Sequence, residues 1–290
     1  AGFDNAISLA EQGDEIVIDG ELGEVHIRPT AEIVSSFREK HALQSEQQAA
    51  FAAERALPSV TRDGVTIALF MNVGIPLDMA HLEGTGAAGV GLFRTELQFL
   101  IGAQLPRAGA QQKLYGDILD KAGDKPVVFR TADLGGDKAA AYMKRSVETN
   151  PAMGWRGMRM AVDRPGLFRP QIRALIASAA GKELNVLFPM ITVVSEILAA
   201  RELLDRELEL RSRRNRAMPK SIRLGAMIET PAAAIMAHSF TKDAGFFSIG
   251  TNDLTQYTLA TDRANERVAY LYAPHHPANL RLLREIVKAG

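Results

Sequence analysis

The sequence predicts an α/β protein built on a parallel (β/α)8 TIM-type barrel, and three observations carry that reading. From about residue 60 onward, short apolar runs alternate with longer helical stretches, the pattern of repeated β–α units. Most of these runs are apolar without alternation, as strands buried on both faces are. The 290 residues, 47% of them hydrophobic, supply a sizeable core and match the roughly 250 residues of one barrel plus an appendage.

Residues 14–29 (DEIVIDGELGEVHIRP) alternate apolar and polar positions about a Gly-containing turn, which predicts a β-hairpin with one buried face. Two strands alone make no stable domain, so they read as the tail of a larger body. The stretch from Ala31 to Leu57 lacks Pro and Gly and is rich in Ala, Glu and Gln. It predicts a long helix capped by Thr30, polar on most sides as a connector is. The expected organisation is therefore a hairpin tail over 1–29, a linker helix over 30–57 and the barrel over 58–290. The barrel strands are expected at Thr66–Asn72, Gly89–Phe93, Pro126–Arg130, Leu184–Met190, Ile222–Glu229 and Gly245–Asn252, with a weaker one near Trp155–Met160. Arg211, Arg213, Arg214 and Arg216 follow a helical stretch and read as cations at its C-terminus and in a solvated turn.

Composition removes several function classes. Lys plus Arg and Asp plus Glu both number 34, so no bulk field concentrates the chain on a nucleic acid or an acidic membrane. No apolar run reaches the roughly 18 residues of a membrane span, and no basic, apolar leader opens the chain, so a cytoplasmic protein is expected. With no cysteine, thiolate metal sites and thiol nucleophiles are excluded from these residues.

The runs stop at residues that carry charge or hydrogen-bonding groups. Asn72, Arg94, Arg130, Glu229, Asn252 and Asp253 stand at C-terminal strand ends, the edge on which barrels build their sites. Singly, each has an ordinary use: Asn252 or Asp253 caps a helix starting near Leu254, Glu229 caps the helix that opens with Thr230-Pro231, and Arg94 and Arg130 pair with rim carboxylates. Jointly they converge on one mouth. Arginine offers a planar fork that matches phosphate or carboxylate. Two carboxylates beside it repel an anion unless a hard divalent cation lies between them, and Mg²⁺ accepts one or two carboxylates plus substrate oxygens. The ligand expected on chemistry alone is a small phosphorylated anion that chelates Mg²⁺. Lys138, in the turn LGGDK, follows a Gly-Gly pair where backbone can approach a ligand.

The strings GVGLFRTELQF (89–99), FRTADLGGDK (129–138), NPAMGWRGMR (150–159), LFPMI (187–191), ETPAAA (229–234) and SIGTNDLTQYTLATDRAN (248–265) resemble, in order and spacing, the PEP-binding half of Enzyme I of the phosphoenolpyruvate-dependent phosphotransferase system. Its sister enzymes, pyruvate phosphate dikinase and phosphoenolpyruvate synthase, share the barrel with shorter versions of these blocks. The resemblance implies Mg²⁺-dependent binding of phosphoenolpyruvate (PEP) and transfer of its phosphoryl group to a histidine on a swivelling domain. From there it passes to an HPr-type phosphocarrier, in the service of sugar transport or of a nitrogen-related system, by a cytoplasmic homodimer. Carried over by motif, Arg94 and Arg130 would hold the phosphate, Glu229 and Asp253 would ligate Mg²⁺, Asn252 would contact PEP, and Arg263 would complete the clamp. Lys138, Arg156 and Arg159 look like mouth residues. The family's phosphorylated histidine and its acid cysteine match nothing in these residues, so the last barrel strand is expected to be missing and the chain alone to be inactive in transfer. His26, His41, His81, His238, His275 and His276 read as structural, with His275-His276 in a loop near the expected mouth. A non-catalytic module that senses PEP or a 2-oxo acid is compatible with the same residues.

Overall fold

The computed structural model describes residues 9–20, 22–55, 57–101, 105–135 and 148–290. Lys138 lies outside them. The chain divides into two compact units, 1–66 and 67–290. In the first, strands β1 (Ile16–Asp19) and β2 (Glu24–Ile27) pair antiparallel, Ile16 opposite Ile27. Helix α1 (Ala31–Glu54) follows, and Lys40 reaches Asp19 at 2.7 Å. Thr30 holds the cap position of α1, but its hydroxyl makes no cap bond. The first turn is closed instead by backbone, Val34 N–H to Thr30 C=O at 3.1 Å.

The second unit carries a six-stranded parallel sheet, β3 (Met71–Val73), β4 (Val90–Arg94), β5 (Val127–Arg130), β6 (Glu183–Ile191), β7 (Ser221–Ile228) and β8 (Phe246–Ile249). The spatial order equals the sequence order. Crossovers of one hand between successive neighbours place every helix on the same face, and the other face is then buried only if the sheet curls on itself. This is the partial TIM-type barrel the sequence predicts. Strand β6 shows the consequence: every residue but Glu183 is buried, as for a strand covered on both sides.

The helices of this unit are α2 (His81–Gly84), α3 (Glu96–Ile101), α4 (Ala108–Ala122), α5 (Met158–Asp163), α6 (Pro165–Ser178), α7 (Val194–Ser212), α8 (Pro231–Ile235), α9 (Ala237–Phe240), α10 (Thr251–Thr258) and α11 (Pro277–Ala289). Phe93, Tyr115 and Phe129 meet edge to face or tilted, with centroids 5.4–6.4 Å apart, and lock α4 onto the sheet. None of these helices, nor α1, is long and apolar enough to cross a membrane. The expected strand near Trp155–Met160 is a correction. Gly157 there has a left-handed φ of 55°, which ends any extended run, and Met158, Met160 and Ala161 bury one side of α5. Only an isolated bridge, Gly135 with Arg156, remains of it, and β5 pairs directly with β6 through Val128 and Asn185. The basic turn after α7 is a local cap: Arg211 Nε donates to Ala217 C=O at 2.6 Å and Arg213 pairs with Glu209.

Helices α6 and α7 are pinned by Glu207, whose buried carboxylate accepts from Arg169 Nε at 2.6 Å and Arg173 Nε at 3.0 Å. Burial pushes this carboxyl up, but the hydrogen bonds and charges of Arg173 and Arg169 outweigh it and hold the group below the ordinary range. A depressed carboxyl stabilises the fold above its unfolded titration point and loses that contribution as pH falls. Glu207→Gln is expected to cost roughly 1–2 kcal/mol at pH 7 and to flatten the loss of stability between pH 5 and pH 3. Urea unfolding at these pH values checks both, and an unchanged midpoint at pH 7 would refute the role.

Candidate functional site

Arg94 closes β4 and Arg130 closes β5, and the two are ladder partners. Two guanidinium groups side by side repel, so something must lie between them. Glu96, the fully buried first residue of α3, does so: its Oε1 accepts from Arg94 Nε at 2.9 Å and from Arg130 Nη2. Arg94 keeps 43% of its side chain exposed, whereas Arg130 is buried. Two atoms of this triad, Arg130 Nε and Glu96 Oε2, are buried without a hydrogen-bond partner among the described residues. Burial lowers the Arg130 guanidinium, but Glu96, Asp133 and Glu229 together drive it above its ordinary value, so it is permanently charged.

Glu229 follows β7. Thr230, not Glu229, caps the next helix, its Oγ1 accepting Ala233 N–H at 3.2 Å ahead of Pro231. Glu229 is thereby released to point into the barrel, where its Oε1 accepts Met190 N–H at 2.6 Å. Met190 takes a left-handed φ of 58° to aim that N–H, a costly conformation for a residue with a side chain. Gly250 makes room on the other side, since a Cβ there would lie 2.6 Å from Glu229 Oε2. Burial, then Asp253 and Asp133, push the Glu229 carboxyl up to about 7, against the Met190 bond and Arg130.

A second chain of charges joins the remaining strand ends. Asp133, three residues beyond β5, receives a bidentate fork from Arg156, Nε to Oδ1 at 3.1 Å and Nη2 to Oδ2 at 2.6 Å. Arg156 Nη2 also lies 3.4 Å from Asp253 Oδ2, and Asp253 Oδ1 pairs with Arg263 at 3.0 Å. Burial lowers the Arg156 guanidinium, but Asp133 and then Asp253 raise it further. Asp253 lies in the first turn of α10, whose N-cap is Gly250. It is therefore inside the helix and not its cap, in a place where the helix dipole favours a carboxylate. A cleft of about 520 Å³ opens beside this chain, lined by Arg156, Asp253, Gln256, Tyr257, Asp262, Arg263 and the 149–153 turn. Tyr257 closes it by donating to Ala152 C=O at 2.5 Å, and burial pushes its phenol up to about 12.

Of the residues the sequence singles out, Arg94, Arg130, Glu229, Asp253, Arg156 and Arg263 are linked in this way. Asn252 is not joined to the chain; it is exposed, and its backbone oxygen and Oδ1 each face the Tyr272 hydroxyl at 3.3 Å. Arg159 is spent on the turn before it, donating to Met153 C=O at 2.6 Å. His276 caps α11 through Nδ1. The sequence reading passed over Glu96, Asp133 and Tyr257. The first two were detectable as carboxylates two and three positions past a strand-end arginine, within the turn that leads each strand out.

The raised Glu229 carboxyl has a definite signature. The native state keeps this proton up to about pH 7, whereas the unfolded chain releases it near 4.3. Between those values the native state binds more protons, so stability falls as pH rises and levels off above pH 7, by roughly 3–4 kcal/mol for a shift of this size. Glu229→Gln keeps the acceptor for Met190 N–H and removes the titration. Its denaturation midpoint is expected to exceed that of the parent at pH 8 and not at pH 4. Parallel pH profiles for the two proteins would contradict the assignment.

The family model for the PEP-binding domain of PEP-utilising enzymes matches residues 48–290. Proteins named phosphoenolpyruvate-protein phosphotransferase from Bacillus sp. (strain S) and Geobacillus stearothermophilus are each 41% identical over 289 residues, which cover all of this chain and 50% of theirs. That of Staphylococcus carnosus is 40% identical over 280 residues, 97% of this chain and 49% of its own. The chain thus spans about half the length of the curated relatives it matches. A solved citrate lyase from Burkholderia xenovorans LB400 aligns with a TM-score of 0.45 at 17% identity, covering 77% of this chain and 60% of that one. By its sequence over residues 48–290, the chain belongs to the PEP-binding domains of the PEP-utilising enzymes.

Proposed function

We propose that this chain is the PEP-binding, Mg²⁺-holding part of a phosphoenolpyruvate–protein phosphotransferase of the phosphotransferase system. One observation carries the reading: ladder-paired Arg94 and Arg130, bridged by Glu96, face a mouth that also holds Glu229, Asp133, Arg156, Asp253 and Arg263. These are four guanidinium groups and four carboxylates. The mouth is therefore balanced before any ligand arrives, and a fully ionised PEP trianion would leave it strongly negative. A divalent cation entering with the substrate restores the balance.

The residues fit that cation. No three carboxylate or imidazole groups among the described residues converge as a protein-only metal cage. Mg²⁺ requires less, one or two carboxylates with substrate oxygens and water completing the shell. The Asp253 charge raises the cost of ionising Glu229, the situation a shared cation relieves. Bound there, Mg²⁺ would supply positive charge to the substrate oxygens as the enolate develops.

The chain's own groups do the positioning. Arg94, half exposed, and Arg130, fixed from behind by Glu96, present donors to the phosphate; Arg263, exposed over 40% of its side chain, closes on it from the far side of Asp253. Phosphoryl transfer draws most of its catalysis from such positioning and charge stabilisation. On this reading the phosphorus–enol oxygen bond breaks while a phosphorus–nitrogen bond forms to a histidine of a swivelling domain, of which residues 1–29, with the β1–β2 hairpin, are the tail and α1 the linker. The group then passes to an HPr-type carrier, and the protein works as a cytoplasmic homodimer.

Each charge-assisted bond to phosphate is worth roughly 1.5–3 kcal/mol, so Arg130→Ala is expected to weaken PEP binding by about tenfold or more. Calorimetric titration of PEP with and without Mg²⁺ measures this, and Glu229→Ala is expected to abolish the Mg²⁺ dependence. PEP binding that is indifferent to Mg²⁺ and to Arg130 would refute the reading.

A further inference from the structure

Gln171 is not hydrogen-bonded to the charged groups of the mouth, yet it is 1% exposed and its amide makes three hydrogen bonds, with both N–H groups used. It projects from α6 beneath the ends of β4 and β5. Its Oε1 accepts Ala132 N–H at 2.9 Å. Its Nε2 donates to Thr95 Oγ1 at 2.8 Å and to the Tyr115 hydroxyl at 3.2 Å. Thr95, buried between Arg94 and Glu96, in turn donates to the backbone oxygen of Arg130 at 2.8 Å. The Tyr115 hydroxyl donates to Gln111 Oε1 at 3.1 Å. This network fixes the amide orientation, because the carbonyl must face an N–H and the NH₂ must face two hydroxyls that are themselves donating elsewhere.

The consequence is local. Thr95 is the residue between Arg94 and Glu96, and Ala132 lies between Arg130 and Asp133. One side chain therefore ties together the two turns that present both proposed phosphate arginines, their bridging carboxylate and the partner of Arg156. A core built only for stability would fill this position with an apolar side chain, since each buried polar atom here must be matched to avoid a penalty.

Resting on the proposed PEP reading, we infer that Gln171 is a positioning residue for phosphoenolpyruvate, setting the spacing of Arg94 and Arg130 through Thr95 and Ala132 without contacting the substrate. Loosening a charge-assisted bond from either arginine to the phosphate is expected to weaken PEP binding by roughly tenfold or more when the tie is cut.

The test is calorimetric titration of PEP, with Mg²⁺ present, into the chain and its Gln171→Met, Thr95→Val and Glu207→Gln variants, with urea unfolding of each. Gln171→Met keeps the volume and removes all three bonds; Thr95→Val removes the hydroxyl that joins Gln171 to Arg130 and leaves the Gln171 bonds to Ala132 and Tyr115 in place. Both are expected to weaken PEP binding by about tenfold or more. Glu207→Gln loosens the same helix at its outer side and is expected to leave PEP affinity within about twofold. A double-mutant cycle separates positioning from stability: if Gln171 acts through Arg130, the loss on adding Gln171→Met to Arg130→Lys falls well short of the loss it causes alone. Should Gln171→Met fail to fold, Thr95→Val decides in the same way. Parent-like affinity in Gln171→Met or Thr95→Val, affinity falling in step with stability across all three variants, or strict additivity with Arg130→Lys would each overturn the inference while leaving PEP binding intact. A parent chain that binds no PEP would remove the functional reading itself, and the inference with it.

Discussion

Arg130 is a guanidinium that cannot shed its charge, buried at a strand end with Glu96, Asp133 and Glu229 around it, and the rest of the mouth follows from that constraint. A lone buried cation is prohibitively costly, so carboxylates must gather round it. Carboxylates buried close together are costly to ionise, and this is visible at Glu229, whose carboxyl is pushed up to about 7 by burial and then by Asp253 and Asp133. Arg156 and Arg263 answer the outer carboxylates Asp133 and Asp253. The result is an alternating series of charges in which every member is held by its neighbours, except at Arg130 Nε and Glu96 Oε2, where hydrogen-bonding capacity is left over.

Such a series is useful only if it is rigid, and the barrel supplies the rigidity from below. Strand β6 is buried on both faces, the Phe93, Tyr115 and Phe129 rings lock α4 to the sheet, and the Gln171 network holds the turns after β4 and β5. Strain is accepted at Met190, whose left-handed backbone turns an N–H onto Glu229. On the proposed reading, the same residues that cost stability when the mouth is considered alone are those that would hold an anion and a divalent cation entering together.

Much of this was legible in the sequence, for identifiable reasons. Parallel strands buried on both faces read as unbroken apolar runs, so β4 to β8 were visible to within a few residues. Polar residues closing those runs marked Arg94, Arg130, Glu229 and Asp253 as neighbours at one edge. The run Trp155–Met160 misled, because a short apolar stretch has too few positions to separate a strand from a buried helix side. Glu229 was ambiguous for a different reason: a carboxylate ahead of Thr-Pro suits a cap as well as a site, and only the structure shows that the Thr230 hydroxyl takes that task. Gln171 carried no signal at all. A glutamine within an amphipathic helix reads as a solvent-facing residue, and its partners Thr95, Tyr115 and Ala132 are brought to it by tertiary packing alone.

The proposed function depends on where an anion and its metal sit in this mouth. A crystal structure of the chain with phosphoenolpyruvate and Mg²⁺ tests it most directly. The expected result places phosphate oxygens on Arg94 and Arg130, with the metal shared between Glu229, Asp253 and the substrate. Phosphoenolpyruvate held elsewhere, or a metal bound away from both carboxylates, would contradict it.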